Sequence, residues 1–416
     1  MILLYRLFII PLVALILPFF LPFLPKLRSG LGLRLRPLKI PEFANDPIWI
    51  HAASGEFEYA KAVIRELKLR HPDIPIVVTY FSPTYRRAVE TFEGIDFACP
   101  LPLDLPGPCA SFLKRVHPRA LWIARTDFWP EMITQTARRK IPRLVFAYTQ
   151  RDPSQMNILS RALRRWVLIR LDQILCVAEG DREALKRLGL DDGVSVSVAG
   201  DTRYDQVEYR LRTGRPLPPD LKPDPGRFCL VAGSTWEEDE LVLIPAVQEL
   251  LKAGRLKLIV VPHEPTDAHL KRLRTRLEAY GLTAALFSSE ASWPHRHALI
   301  VDEVGVLAEL YRWGDFALVG GSFRKSVHSV MEALGAGCRT FVGPKHHNNR
   351  EALEFQALRF AGQPGVTVVA DSGDLRAQLE KATAAREALS QFRQDLIAEF
   401  QRRRGASERV VAASLP

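Results

Sequence analysis

Phe316-Ala317-Leu318-Val319-Gly320-Gly321-Ser322-Phe323-Arg324-Lys325-Ser326-Val327-His328-Ser329-Val330-Met331-Glu332-Ala333-Leu334 is the stretch on which the reading of this chain turns. Its first four residues form an apolar run of the kind that a strand buried on both faces carries. From Val330 to Gly337 the spacing predicts a short helix that stops at glycine. Between them lie small residues, two basic residues, a histidine and serines. A glycine-rich turn from a strand to a helix N-terminus gathers backbone N–H groups and a positive dipole end at one spot, which suits a phosphate. Glu332, one turn into the helix, would reach the hydroxyls of a ribose held there. The pattern fits an ordinary strand–loop–helix connection equally well, so the rest of the chain has to decide.

Working outward, the same alternation recurs on both sides. Residues 47–51, 74–79, 120–124, 143–147 and 173–177 read as strands, each followed by a helical stretch, and 194–200 closes this first set. Residues 228–232, 256–261, 299–302, 316–320, 339–342 and 366–369 repeat the pattern. Repeated β-α alternation with continuous apolar strands predicts an α/β fold of two doubly wound, Rossmann-like parallel sheets. Gly214 to Gly226 holds five prolines in a polar context and reads as a linker. The expected organisation is therefore a first segment at 1–36, a Rossmann-like domain at 37–210, a linker at 211–226, a second such domain at 227–385 and helices at 386–416. Two such halves place a ligand in the cleft between them, at the carboxyl ends of the strands.

Residues 7–25 carry no charge, a run just long enough to cross the core of a bilayer. Only Arg6 precedes it, while Lys26, Arg28, Arg34, Arg36 and Lys39 follow, and no small-residue cleavage site is visible. That charge pattern argues against a secretory signal and leaves the rest of the chain on the cytoplasmic side of the membrane. Pro11, Pro18, Pro22 and Pro25 speak against one straight helix, so a broken anchor lying in the interface rivals a span. The formal net charge of +10 points to anionic partners. Nucleic acid ranks lowest among them, because the basic residues are dispersed and no nucleic-acid-binding motif is present. Cys99, Cys109, Cys176, Cys229 and Cys338 stand far apart and read as small buried hydrophobes of a reducing compartment.

Chemistry-bearing residues sit where strands end. His51-Ala52-Ala53-Ser54-Gly55-Glu56 leads from the first strand into the first helix, with Ser54 as a candidate N-cap and Glu56 as a candidate base. Asp104, in a proline-bracketed loop, reads as a turn or cap residue. Arg125-Thr126-Asp127-Phe128-Trp129-Pro130 is a binding loop or a helix entry capped by Asp127. Gly233-Ser234-Thr235-Trp236 opens the second domain ahead of four acidic residues, and its hydroxyls can cap the helix or meet a phosphate. Adjacent His346 and His347 lack a third ligand at metal-site spacing. No G-x-S-x-G, Walker loop or post-strand G-x-G-x-x-G is present, which weakens hydrolase, ATPase and dinucleotide readings.

Taken in order, these loops resemble the Kdo (3-deoxy-D-manno-octulosonic acid) transferase family, membrane-anchored GT-B glycosyltransferases that move Kdo from CMP-Kdo to a lipid A precursor. The matching stretches are residues 49–51 through Ser54-Gly55-Glu56, 102–106, Asp127-Phe128-Trp129-Pro130, Gly200 through Tyr204-Asp205 and Gly233-Ser234-Thr235. Gly320-Gly321-Ser322, His328 through Glu332, and Gly343-Pro344 with Asn348 complete the series. The resemblance implies an inverting transferase with Glu56 as general base. It implies nucleotide contacts at Ser234, Thr235, Gly320, Gly321, Ser322, His328, Ser329, Glu332 and Asn348. It further implies CMP-Kdo as donor without metal or other cofactor, an anionic lipid A precursor as acceptor, and a place at the inner (cytoplasmic) membrane. The chain departs from the family pattern at Arg125, where the family carries an acid, at Gln150 and at His263. Those departures keep open a related GT-B transferase with another donor or acceptor, and a tethered relative that binds without catalysing. An epimerase of the same fold would not need the anchor.

Overall fold

The structure, a computed structural model, describes residues 1–190, 193–224, 226–289 and 293–415. Position 225 of the expected linker, position 416 of the tail and the Lys26 side chain of the basic flank lie outside that description. The chain divides into two compact units, residues 1–206 with 403–416, and residues 207–402.

In the first unit, seven strands form one parallel sheet: β1 (Ile48–His51), β2 (Ile76–Tyr80), β3 (Phe97–Pro100), β4 (Ala120–Ala124), β5 (Arg143–Tyr148), β6 (Gln173–Cys176) and β7 (Ser195–Val198). Their spatial order is β3-β2-β1-β4-β5-β6-β7. Successive side chains of a strand enter opposite layers. Ile48, Ile50 and Trp122 pack into one layer, while Trp49, Leu121 and Ile123 pack into the other. Both faces are covered, which is why these strands read as unbroken apolar runs. The last helix, Ala406–Ser414, returns to this unit, where the Asp205 carboxylate accepts the N–H groups of Gly405 and Ser407.

The second unit has β8 (Phe228–Thr235), β9 (Leu256–Pro262), β10 (Ala284–Leu286), β11 (Ala298–Ile300), β12 (Phe316–Val319) and β13 (Arg339–Val342). A two-stranded hairpin of β14 (Arg359–Phe360) and β15 (Gln363–Pro364) precedes β16 (Val366–Val368). The parallel order is β10-β11-β9-β8-β12-β13-β16. The α/β reading and both doubly wound sheets stand. β3 and β10, edge strands with no counterpart in the sequence reading, are short and only partly buried. All five cysteines are free and buried, as expected.

The N-terminal segment is helical from Ile2 to Phe23, long and apolar enough to cross a membrane, with none of its residues buried. It runs through Pro11 and Pro18 instead of breaking there. A π-helical turn at Tyr5–Ile9 precedes Pro11 and widens the ladder where a proline ring and its missing N–H would otherwise conflict with it. The break comes at Leu24 (φ −121°, ψ 78°), before the helix Pro25–Arg34. Tyr5 donates to Asp104 (2.9 Å) and Arg6 to the buried Glu131 (2.8 Å), tying the segment to its unit.

Candidate active site

In the first sheet the strand order reverses between β1 and β4, the switch point at which an open α/β sheet leaves a crevice. The loops after both strands open there. β1 ends in the fully buried His51, whose Nδ1 lies 2.9 Å from Thr79 Oγ1 and whose Nε2 lies 2.8 Å from Asp127 Oδ2. His51 Nδ1 also lies 3.2 Å from Thr79 O, and Thr79 Oγ1 accepts from Trp49 Nε1, while the Asp127 carboxylate can only accept. His51 therefore donates from Nε2 to Asp127, and Trp129 Nε1 donates to the same oxygen at 2.9 Å. Burial works to raise the Asp127 carboxyl, but the His51 and Trp129 bonds outweigh it and hold the group below the usual range.

Glu56 occupies the N-cap position of the helix Phe57–Arg70 and is half-buried. Its Oε2 accepts both the backbone N–H (3.0 Å) and the hydroxyl (2.9 Å) of Ser54, leaving Oε1 open. Ser54 is thus a positioning donor for Glu56 and not the helix cap that its place in the sequence suggests. Capping by Asp127 is likewise corrected. The helix Pro130–Arg138 is capped in trans by Asp104, which accepts the N–H groups of Glu131 and Met132. That supports the cap reading of Asp104.

The second sheet has its switch point between β8 and β12. Here the glycine-rich turn is not an open phosphate cradle. The Asp239 carboxylate accepts the N–H groups of Gly321 (2.8 Å), Trp236 (2.9 Å) and Phe323 (3.3 Å), and Gly320 N–H bonds Gly233 O. Burial raises the Asp239 carboxyl above its usual range, and these amides hold back part of the rise. A helix does follow, but only at Met331–Gly335, well past the glycines. The glycines are needed for close approach. A Cβ on Gly320 would stand 2.2 Å from Ser234 O, and Gly321 has φ +89° with Ser326 O 2.3 Å from where its Cβ would be.

Several expected nucleotide contacts have protein partners. Thr235 is fully buried and bonds Glu240, and Ser322 is fully buried, donating to Val319 O and accepting from Gly343 N. Their hydroxyls are therefore not offered at the surface. Glu332 pairs with Arg210 at 2.8 Å, the amide of exposed Asn348 donates to Val327 O, and Ser329 Oγ accepts from Met331 N. Ser234, in the left-handed region at φ +54°, is part-exposed, and its hydroxyl bonds none of the described residues.

Sequence reasoning missed the ring stack beside it. The His328 ring lies 4.3 Å from that of His263 with 13° between planes, Trp236 packs on His263 at 4.7 Å, and the Arg324 guanidinium covers Trp236 at 3.9 Å. Trp236 Nε1 donates to His328 Nε2 (3.1 Å), so this nitrogen carries no proton. Burial, and then neighbouring His263, push the His328 imidazole down to about 4. Neither His346 nitrogen is idle, one lying 3.2 Å from Gly343 O and the other 3.1 Å from Gln356 Oε1.

Two parallel seven-stranded sheets, each with polar residues at its switch point, give this two-unit α/β protein the architecture of the GT-B class. Residues 28–206 match the family model described as 3-Deoxy-D-manno-octulosonic-acid transferase (kdotransferase). The 3-deoxy-D-manno-octulosonic acid transferase of Aquifex aeolicus is 29% identical over 76% of this chain and 81% of its own length. That of Haemophilus influenzae is 28% identical over 88% and 85%. Among solved structures, the UDP-GlcNAc 2-epimerase of Neisseria meningitidis aligns with TM-score 0.61 at 14% identity, covering 88% of this chain and 99% of that one. A glycosyltransferase of Rickettsia africae aligns with TM-score 0.57 at 10% identity, covering 89% and 98%. Those two likenesses concern the fold. Residues 28–206 thus carry the Kdo transferase domain, and most of the chain is similar to Kdo transferases.

Proposed function

We propose that this enzyme transfers Kdo from CMP-Kdo to a lipid A precursor at the membrane surface, with inversion at the anomeric carbon. The observation that carries this reading is Glu56, with one oxygen pinned by Ser54 and the other open at the first sheet's switch point. Glu56 Oε1 takes the proton of the acceptor hydroxyl as that oxygen attacks the anomeric carbon. The bond from that carbon to the CMP phosphate breaks, and CMP leaves with the electron pair. Positive charge past β12 comes from Arg324, which lies 3.6 Å from Glu238, and from Lys345, whose Nζ donates to Arg324 O, and the Trp236–His263–His328 stack offers a flat face beside Arg324.

A lipid acceptor is supported within the first unit. A groove of about 830 Å³ is walled by Leu4, Ile9, Phe128, Trp129, Leu159 and Leu163. The helix Ile158–Leu168 exposes Ile158 and Leu159 and carries Arg161, Arg164 and Arg165. Apolar side chains with adjacent cations suit an anionic membrane surface, next to the apolar N-terminal helix.

Supplying full-length protein with CMP-Kdo and lipid A precursor tests this. Wild type is expected to transfer Kdo, and Glu56→Ala or Glu56→Gln to lose at least about 10²-fold in kcat, the low end for a general base. A wild type that binds CMP but transfers nothing is a binding protein, and one that ignores CMP has another donor.

A further inference from the structure

Among the described residues of the first unit, Arg125 is a half-buried cation with no carboxylate partner. The Arg125 guanidinium, half-buried just past the end of β4, donates to Tyr59 Oη (2.7 Å) and Thr149 Oγ1 (3.2 Å), both neutral, and pairs with no carboxylate of the described residues. Arg6, Arg143 and Arg203 of the same unit do have one, in Glu131, Asp172 and Asp201. A partly desolvated cation facing only neutral dipoles is unfavourable in the free protein and gains most when an anion arrives. Two of its five N–H donors are spent on Tyr59 and Thr149, which fix the plane of the group. The remainder can form a fork on a tetrahedral oxyanion.

Its surroundings support a ligand role. Arg125 has φ +65°, a conformation that residues with a Cβ seldom take and that is retained where the surroundings demand it. Both Arg125 and Arg203 lie over the Tyr59 ring, at 4.9 and 4.4 Å, which concentrates positive charge there. Tyr59 N–H bonds Glu56 O, and three residues along a helix share a face, so the cluster sits one turn from the open Glu56 oxygen. The segment from Thr126 to Pro130, which follows directly, walls the apolar groove.

We propose that Arg125 is the docking point for a phosphate group of the lipid acceptor and that it decides which acceptor hydroxyl reaches Glu56. Hydrocarbon lies in the groove and the phosphate on the guanidinium. This rests on the lipid-acceptor reading above but not on the identity of the donor.

Binding to the full-length protein in detergent micelles tests it, using lipid A precursor and the same lipid stripped of phosphate, with no donor present. Wild type is expected to bind the phosphorylated lipid about tenfold or more tighter, the scale of a charge-assisted contact. Arg125→Gln is expected to bind both forms alike, at the affinity wild type has for the stripped lipid. Inorganic phosphate, compared with chloride at equal ionic strength, should weaken binding of the phosphorylated lipid to wild type only. Should Arg125→Gln fail to fold, Arg125→Lys, which keeps the charge but not the fork, is expected to lose several-fold of the preference. No preference in wild type, an undiminished preference in a folded variant, or equal loss for both lipids overturns the assignment. A wild type inactive with CMP-Kdo that still prefers phosphorylated lipid removes the donor reading and leaves this one standing.

Discussion

β5 slips in register between Val145 and Tyr148, with Ala147 at φ +51°, and β8 slips between Gly233 and Thr235, with Ser234 at φ +54°. Each unit thus spends a bulge and a left-handed residue other than glycine near the end of a central strand, a device that re-aims the chain beside a site. The two regions then diverge. Past β8 and β12 the protein satisfies itself, with Asp239 holding the amides of the glycine turn and Glu240 holding Thr235. Past β1 and β4, among the described residues, one Glu56 oxygen has no hydrogen bond and Arg125 has no carboxylate. A glycine-rich turn after a strand is therefore no proof of an empty anion cradle. What the second unit leaves at its surface is rings, cations and one strained serine.

Removing the carboxylate that closes the cradle should break this contrast most visibly. Asp239→Ala orphans three amides, two of them close to the carboxylate, for a stability loss of about 3 kcal/mol in chemical denaturation. Asp239→Asn keeps one acceptor oxygen and should lose less. The sign with pH follows from the raised carboxyl. The folded protein holds this proton more tightly than the unfolded chain, so Asp239 favours folding at low pH. That contribution is lost as pH rises from the ordinary carboxylate range through the raised folded value. The Asn variant should lack this slope. An Asp239→Ala protein of unchanged stability would mean that the turn does not need its internal anion.

How much of this the sequence disclosed depended on burial. β4 and β13 were legible to the residue because strands buried on both faces carry unbroken apolar runs. β3 and β10, short edge strands with partly exposed residues, were not, while β7, just as short and more exposed, showed through its Ser-Val alternation. At the sites, residue types were legible and partners were not. Glu56 stood out as a carboxylate at a strand end, but Asp239 read as one of four acids opening a helix. Its bond to Gly321, 82 residues away, leaves no local trace. Trp236, His263 and His328 follow three different strands and meet only in the folded unit. Thr235 and Ser322 look available as letters. At the end of β8 and in the turn after β12 their hydroxyls are taken by Glu240 and by Val319 O and Gly343 N.

His328 sharpens the contrast through pH. Its imidazole is pushed down to about 4 from 6.5, so the unfolded chain takes up a proton that the folded one refuses. The stability held by neutral His328 is complete above pH 6.5 and is lost as pH falls from there toward 4. Protonating Nε2 also breaks the Trp236 bond and unsettles the stack. Melting temperatures across that window should fall less steeply in His328→Leu than in wild type. Equal slopes would assign the acid sensitivity to other groups.

Ser234 carries the smallest effect and the most discriminating one. Its left-handed backbone costs a residue with a Cβ about 1 kcal/mol, and its hydroxyl has no hydrogen bond with the described residues to offset that. Glycine removes the strain, so Ser234→Gly should raise stability by about 1 kcal/mol in chemical denaturation. If Ser234 contacts the nucleotide, the same change should weaken CMP binding by roughly three- to tenfold, the worth of one neutral hydrogen bond. Stability and affinity moving in opposite directions is the signature of strain kept for a ligand. Greater stability with unchanged CMP affinity would leave the ring stack and its cations as the nucleotide's handles. Lower stability would show that the hydroxyl matters to the fold, making Ser234 a second Thr235.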